Sequence, residues 1–145
     1  MTPGLTNTTK TNMLKYFLNA TPEEVPAPNP VFAGLLIDQG GPEPNELIIG
    51  TAGYARAPVD FIVVDGVAKN ASSITFPKAI SDWTPGTSRI THVAFFSSHY
   101  DVDSGTFISD ETDATIAILP LSEAESIQAS ETFQLNPQAV KMQLL

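Results

Sequence analysis

The chain has 145 residues, sixteen acidic against seven basic, a formal charge of −9 and no cysteine. That length suits one domain able to bury roughly two-thirds of its unfolded surface without staples. Thiolate zinc sites, redox motifs and cysteine nucleophiles are excluded, and the acidic balance argues against nucleic-acid or anionic-membrane partners.

Met1–Ala20 is polar and has no long apolar run, so it does not read as a signal peptide. Stretches such as Ala33–Ile37 and Phe61–Val64 are too short to span a bilayer. The first ten residues, MTPGLTNTTK, offer little to pack and read as an N-terminal arm, either disordered or laid over a partner. Thr11–Asn19 is the one expected helix. Thr11 or Asn12 can cap it, and Met13, Leu14, Phe17 and Leu18 share a face. Thr21–Pro30 follows as a proline-rich connector.

From Val31 the pattern is that of strands, and residues 11–145 are read as a single β domain. Val31–Ile37 is apolar on both faces and should lie inside a covered sheet. Gln39–Glu46 is a broad turn, Leu47–Gly50 a short strand, and Tyr54–Val64 one longer strand ending at an Asp65-Gly66 hairpin turn. Ser73–Phe76 places Ile74 and Phe76 together. Arg89–Phe96 places Ile90, His92, Ala94 and Phe96 opposite Thr91, Val93 and Phe95. Thr106–Ser109, Ala114–Leu119, Thr132–Leu135 and Ala139–Leu144 complete a series of short strands separated by turn residues. Such spacing predicts an all-β fold, a β-sandwich or jelly-roll-like domain with one short N-terminal helix. No internal repeat is visible.

Candidate chemistry is sparse. Asp101–Asp113 (DVDSGTFISDETD) holds five carboxylates, and Asp101 and Asp103 are the calcium candidates. An EF-hand loop needs its glycine at about the sixth position and a glutamate at about the twelfth. Here glycine comes early and Thr112 takes the last place, so a solvated hairpin tipped by Ser104-Gly105 is the simpler reading. His99 lies two residues before Asp101, yet no nucleophile is marked beside it and no Gly-x-Ser-x-Gly elbow exists. His92 reads as a hydrogen-bonded core histidine, and Trp83 as a core anchor in a turn. Gly34 and Gly40-Gly41 make no phosphate-binding motif. The sequence therefore predicts no catalytic residues, no cofactor and no enzyme.

Several segments together resemble a family of small bacteriophage virion proteins, often labelled tail fibre or minor structural proteins. They are Asn12–Asn19, PVFAGLLID (Pro30–Asp38), GTAGYARAPVDF (Gly50–Phe61), NASSITFPKAISDW (Asn70–Trp83), ITHVAFFSS (Ile90–Ser98) and Ser126–Leu144. Tyr54-Ala55-Arg56 and Ile74–Pro77 followed by Asp82-Trp83 are the most distinctive. The polar leader and Tyr100–Asp113 depart from that pattern. The resemblance implies a virion structural protein assembled in the host cytoplasm. A compact unit without a fibrous repeat favours a capsid decoration or cement protein over a tail fibre or adaptor, with a receptor- or carbohydrate-binding module as a further alternative. The expected partners are the major capsid protein or another virion protein and other copies of the chain. Leu5, Met13, Tyr16 and Phe17 are the expected interface anchors.

Overall fold

The computed structural model describes residues 4–7, 9–11, 29–38 and 44–143. The all-β expectation holds, with thirteen strands among those residues. In chain order they are β1 (Gly4–Leu5), β2 (Val31–Asp38), β3 (Asn45–Glu46), β4 (Ala57–Val59), β5 (Phe61–Val64), β6 (Val67–Asn70) and β7 (Ile74–Thr75). They continue as β8 (Arg89–Phe96), β9 (His99–Asp101), β10 (Thr106–Ile108), β11 (Thr115–Glu125), β12 (Gln134–Leu135) and β13 (Lys141–Gln143). One six-stranded antiparallel sheet runs β1-β11-β8-β2-β3, with β4 also pairing β2. Three small sheets, β5–β6–β13, β7–β12 and β9–β10, complete the pairing.

β2 is central and apolar on both sides, as its sequence requires, and residues 33–37 are all buried. Ala33, Leu35 and Ile37 face a core shared with Val93 and Phe95 of β8 and Ala117 of β11. The small sheets cover that side, contributing Phe61, Ile74, Leu135 and Met142, with Val140 just before β13. Phe61 meets Phe95 edge-on at 5.1 Å between centroids. Leu36, Ala94 and Phe96 form a second buried cluster on the opposite side of the large sheet.

β8 corrects the expected facing of its residues. Ile37 pairs with Ile90 and Leu36 with His92, which leaves Thr91 as an extra residue. That bulge reverses the side on which everything before it points. Ile90 therefore joins Val93 and Phe95 in the main core, while His92, Ala94 and Phe96 face the other way. Burial lowers the pKa of His92, and its Nδ1 hydrogen-bonds to the Thr91 hydroxyl at 2.9 Å.

The expected strand Tyr54–Val64 is broken at Asp60 into β4 and β5, which belong to different sheets. The expected hairpin turn is present: Asp65 and Gly66 both have positive φ (52° and 77°) and join β5 to β6. Leu47–Gly50 is not a strand; the pairing residues are Asn45 and Glu46 just before it.

The leader is partly built into the chain's own sheet, since Gly4 pairs with Ile118 and Leu5 with Ala117. Of the expected helix, Thr11 is helical and follows helical residues at 7, 9 and 10, while 12–19 lie outside the described residues. Among the described residues no helix is long and apolar enough to cross a membrane.

Candidate functional site

The polar chemistry of the fold concentrates where the large sheet meets the acidic β9–β10 hairpin. β3 and β4 both pair with the same edge of β2 and leave a gap opposite Gly34 and Leu35. The Tyr54 hydroxyl fills the gap, accepting from the Leu35 backbone N–H at 2.9 Å and donating to Glu46 Oε2 at 2.7 Å. Burial, then the charge of Glu46, holds the phenol pKa far above its ordinary value. Arg56, one residue before β4, donates through Nε to Glu46 Oε2 (2.8 Å) and through Nη2 to Oε1 (2.6 Å). Its guanidinium lies 3.4 Å from the centroid of Phe96. Gly34 is required here by space: a Cβ would stand 2.6 Å from Glu46 Oε2 and 2.7 Å from Phe96.

Arg56 Nη1 reaches out of the sheet to Ser109 Oγ and to the Asp110 carbonyl oxygen. Ser109 Oγ in turn donates to the Ser97 carbonyl at 2.7 Å. His99 Nδ1 lies 2.9 Å from Asp113 Oδ2, and that oxygen accepts from the Asp110 N–H at the same distance. These bonds fasten both ends of the β9–β10 hairpin to the sheet. Its tip projects: Tyr100, Val102 and Phe107 are exposed, with the two rings in edge contact at 5.5 Å.

The calcium candidates are not drawn into one ligand set. Asp101 accepts from the Ser104 N–H at 3.0 Å and stabilises the turn, and hydrogen bonds from Ser104 lower its pKa. Asp103 is exposed at the tip. The side chains that do converge are one imidazole and two carboxylates, His99, Asp110 and Asp113, whose ligand-type atoms lie within 4.8 Å of one another. Each already serves the loop: Asp110 Oδ1 accepts from Thr112, and Asp113 from His99 and Asp110.

Trp83 is buried as expected, donating from Nε1 to the Ala52 carbonyl and meeting Tyr54 edge-on at 5.4 Å. Of the expected interface anchors, Leu5 lies in β1, and Met13, Tyr16 and Phe17 fall outside the described residues. Two features escaped the sequence reading. One is the Glu46–Arg56 pair, because Glu46 was assigned to a turn. The other is the exposure of the apolar run Ile62, Val63 and Val64 on β5.

The described residues thus make an all-β fold whose polar network anchors a projecting hairpin. The chain belongs to the family described as podophage GP4 fiber I protein gp80, whose profile matches residues 4–143. It is thus a phage virion structural protein. Comparison with curated proteins and with solved structures returns no significant match.

Proposed function

We propose that the chain is a compact building block of a tail-associated fibre, working through contacts with other virion proteins and with its own copies, and without catalysis. The observation that carries this reading is the match to a fibre protein over residues 4–143. The fold agrees with it in one respect. A compact unit gains length by joining to further copies or linkers, and such joining needs exposed apolar surface, which two hairpins here provide. A decoration protein that reached its neighbours with a free N-terminal arm is less favoured, because Gly4–Leu5 pairs with the chain's own β11.

Immunogold labelling of purified virions tests the proposal. Label at the tail vertex is expected, and label spread evenly over the head would overturn it in favour of a decoration role.

A further inference from the structure

Eight large apolar side chains are exposed among the described residues, and six of them fall on two hairpins. Ile62, Val63 and Val64 belong to β5, an edge strand of the small sheet, and Tyr100, Val102 and Phe107 to β9–β10. The two patches differ in charge. Ile62 pairs with Lys69, and Lys69 with Lys141, so these three side chains stand in a row across the outer face of β5–β6–β13. The opposite face of that sheet carries Phe61, Asn70 and Met142 toward the core, and Val63 shares that face but is exposed, so Ile62 and Val64 are the apolar residues of the outer face. Like charges directly opposite on neighbouring strands are unfavourable. Lys69 and Lys141 nonetheless have no described carboxylate within 4.0 Å, although Asp60 ends the same face. In a chain of net charge −9 this is a local cationic, apolar strip. The β9–β10 tip is its complement, apolar through Tyr100, Val102 and Phe107 and anionic through Asp101 and Asp103.

We infer that copies of this chain associate head to tail, the acidic β9–β10 hairpin of one docking on the Lys69–Lys141 face of the next. The contact is heterologous, so it leaves one free hairpin and one free face at the ends and continues as an open chain. One register of a two-fold pairing of β5 edges is disfavoured. The register that centres it between Ile62 and Val63 would set Asp60 against Asp65 of the second copy. This inference rests on the fibre reading.

The test is sedimentation velocity of the purified full chain over a concentration series, at low and high salt. Wild type should self-associate, and less so as salt rises. K69Q/K141Q and D101N/D103N should each weaken association roughly tenfold or more. Mixed in equal amounts, the two variants retain one intact contact and should stop at one-to-one complexes. Ile62→Ser repeats the first test without altering charge, and circular dichroism verifies that each variant is folded. A wild-type chain that stays monomeric, variants that associate like wild type, or mixed variants that grow beyond pairs would each overturn the inference. If the label still lies at the tail while the chain is monomeric, the fibre reading stands and only the self-contact fails.

Discussion

Arg56 and Glu46 meet through two parallel hydrogen bonds, 2.8 and 2.6 Å long, in a place where the arginine side chain is only 3% exposed and the glutamate 19%. The pair closes the edge of β2 between β3 and β4 and carries the Ser109–Asp110 loop with it. One ion pair thus ties the large sheet to the hairpin proposed to meet the next copy.

Removing one partner leaves the other charge buried. Arg56→Ala or Glu46→Ala is expected to cost about 3–5 kcal/mol of stability in urea unfolding. Arg56→Lys keeps the charge but loses the two-point geometry and should recover only part of it. Hydrogen exchange should also speed up at residues 109–113 in the Arg56 variants, since that loop loses its anchor.

Gly34→Ala tests the tight space beside this pair. The added Cβ meets a carboxylate oxygen and an aromatic carbon below 3.0 Å. Overpacking of this kind costs about 1–3 kcal/mol. Phe96→Leu in the same chain should relieve part of the loss, and the double-mutant cycle measures how much. Additive costs would show that Phe96 is not the obstacle.

Asn70 is fully buried and fully used. Its Nδ2 donates to the carbonyls of Ser72 and Asn136, and its Oδ1 accepts from the Val140 N–H. Asn70→Ala strands three backbone groups, each worth about 1–3 kcal/mol when buried without a partner. Asn70→Asp, which keeps the acceptor and loses the donors, should also destabilise the chain. Loss of exchange protection should begin at β13, whose approach to β6 this side chain directs.

Tyr54 gives the chain an alkaline limit. Its pKa is raised in the folded state, so above the unfolded value of about 10 the unfolded chain loses a proton that the folded chain keeps. Stability from this group is full below about pH 10 and falls above it, by up to about 1.4 kcal/mol per pH unit. Tyr54→Phe should remove that slope while lowering stability near neutrality, because the Leu35 N–H and Glu46 lose their partner. Urea midpoints measured across the alkaline range decide it, and an unchanged slope in the variant would show that Tyr54 ionises freely.

The strands legible in the sequence are those whose local chemistry matches their final place. Val31–Ile37 is apolar throughout and lies buried at the centre, and Asp65-Gly66 turns as its residues demand. The alternation of Arg89–Phe96 was visible, yet the bulge at Thr91 was not, because only the register against β2 creates it. Likewise YARAPVDFIVV runs unbroken as a pattern, and tertiary pairing alone divides it at Asp60. Arg56 was conspicuous in its motif, but its partner lies ten residues earlier in a stretch rich in glycine and proline. Side chains of β5 look like core residues because apolar strand faces have the same composition whether a domain or a neighbouring copy covers them.

The break at Asp60 has a mechanical side. β4 and β5 are separated by one residue but belong to separate sheets, so tension applied at the small sheet reaches the large one through a joint with no slack. That tension falls first on the β2–β4 ladder, which pairs only Val31, Phe32 and Ala33 with Val59, Pro58 and Ala57. Pro58 brings no N–H to this ladder. Under load the corner would peel before the longer β2–β8 pairing shears, letting the subunit lengthen by a few residues while its centre stays folded.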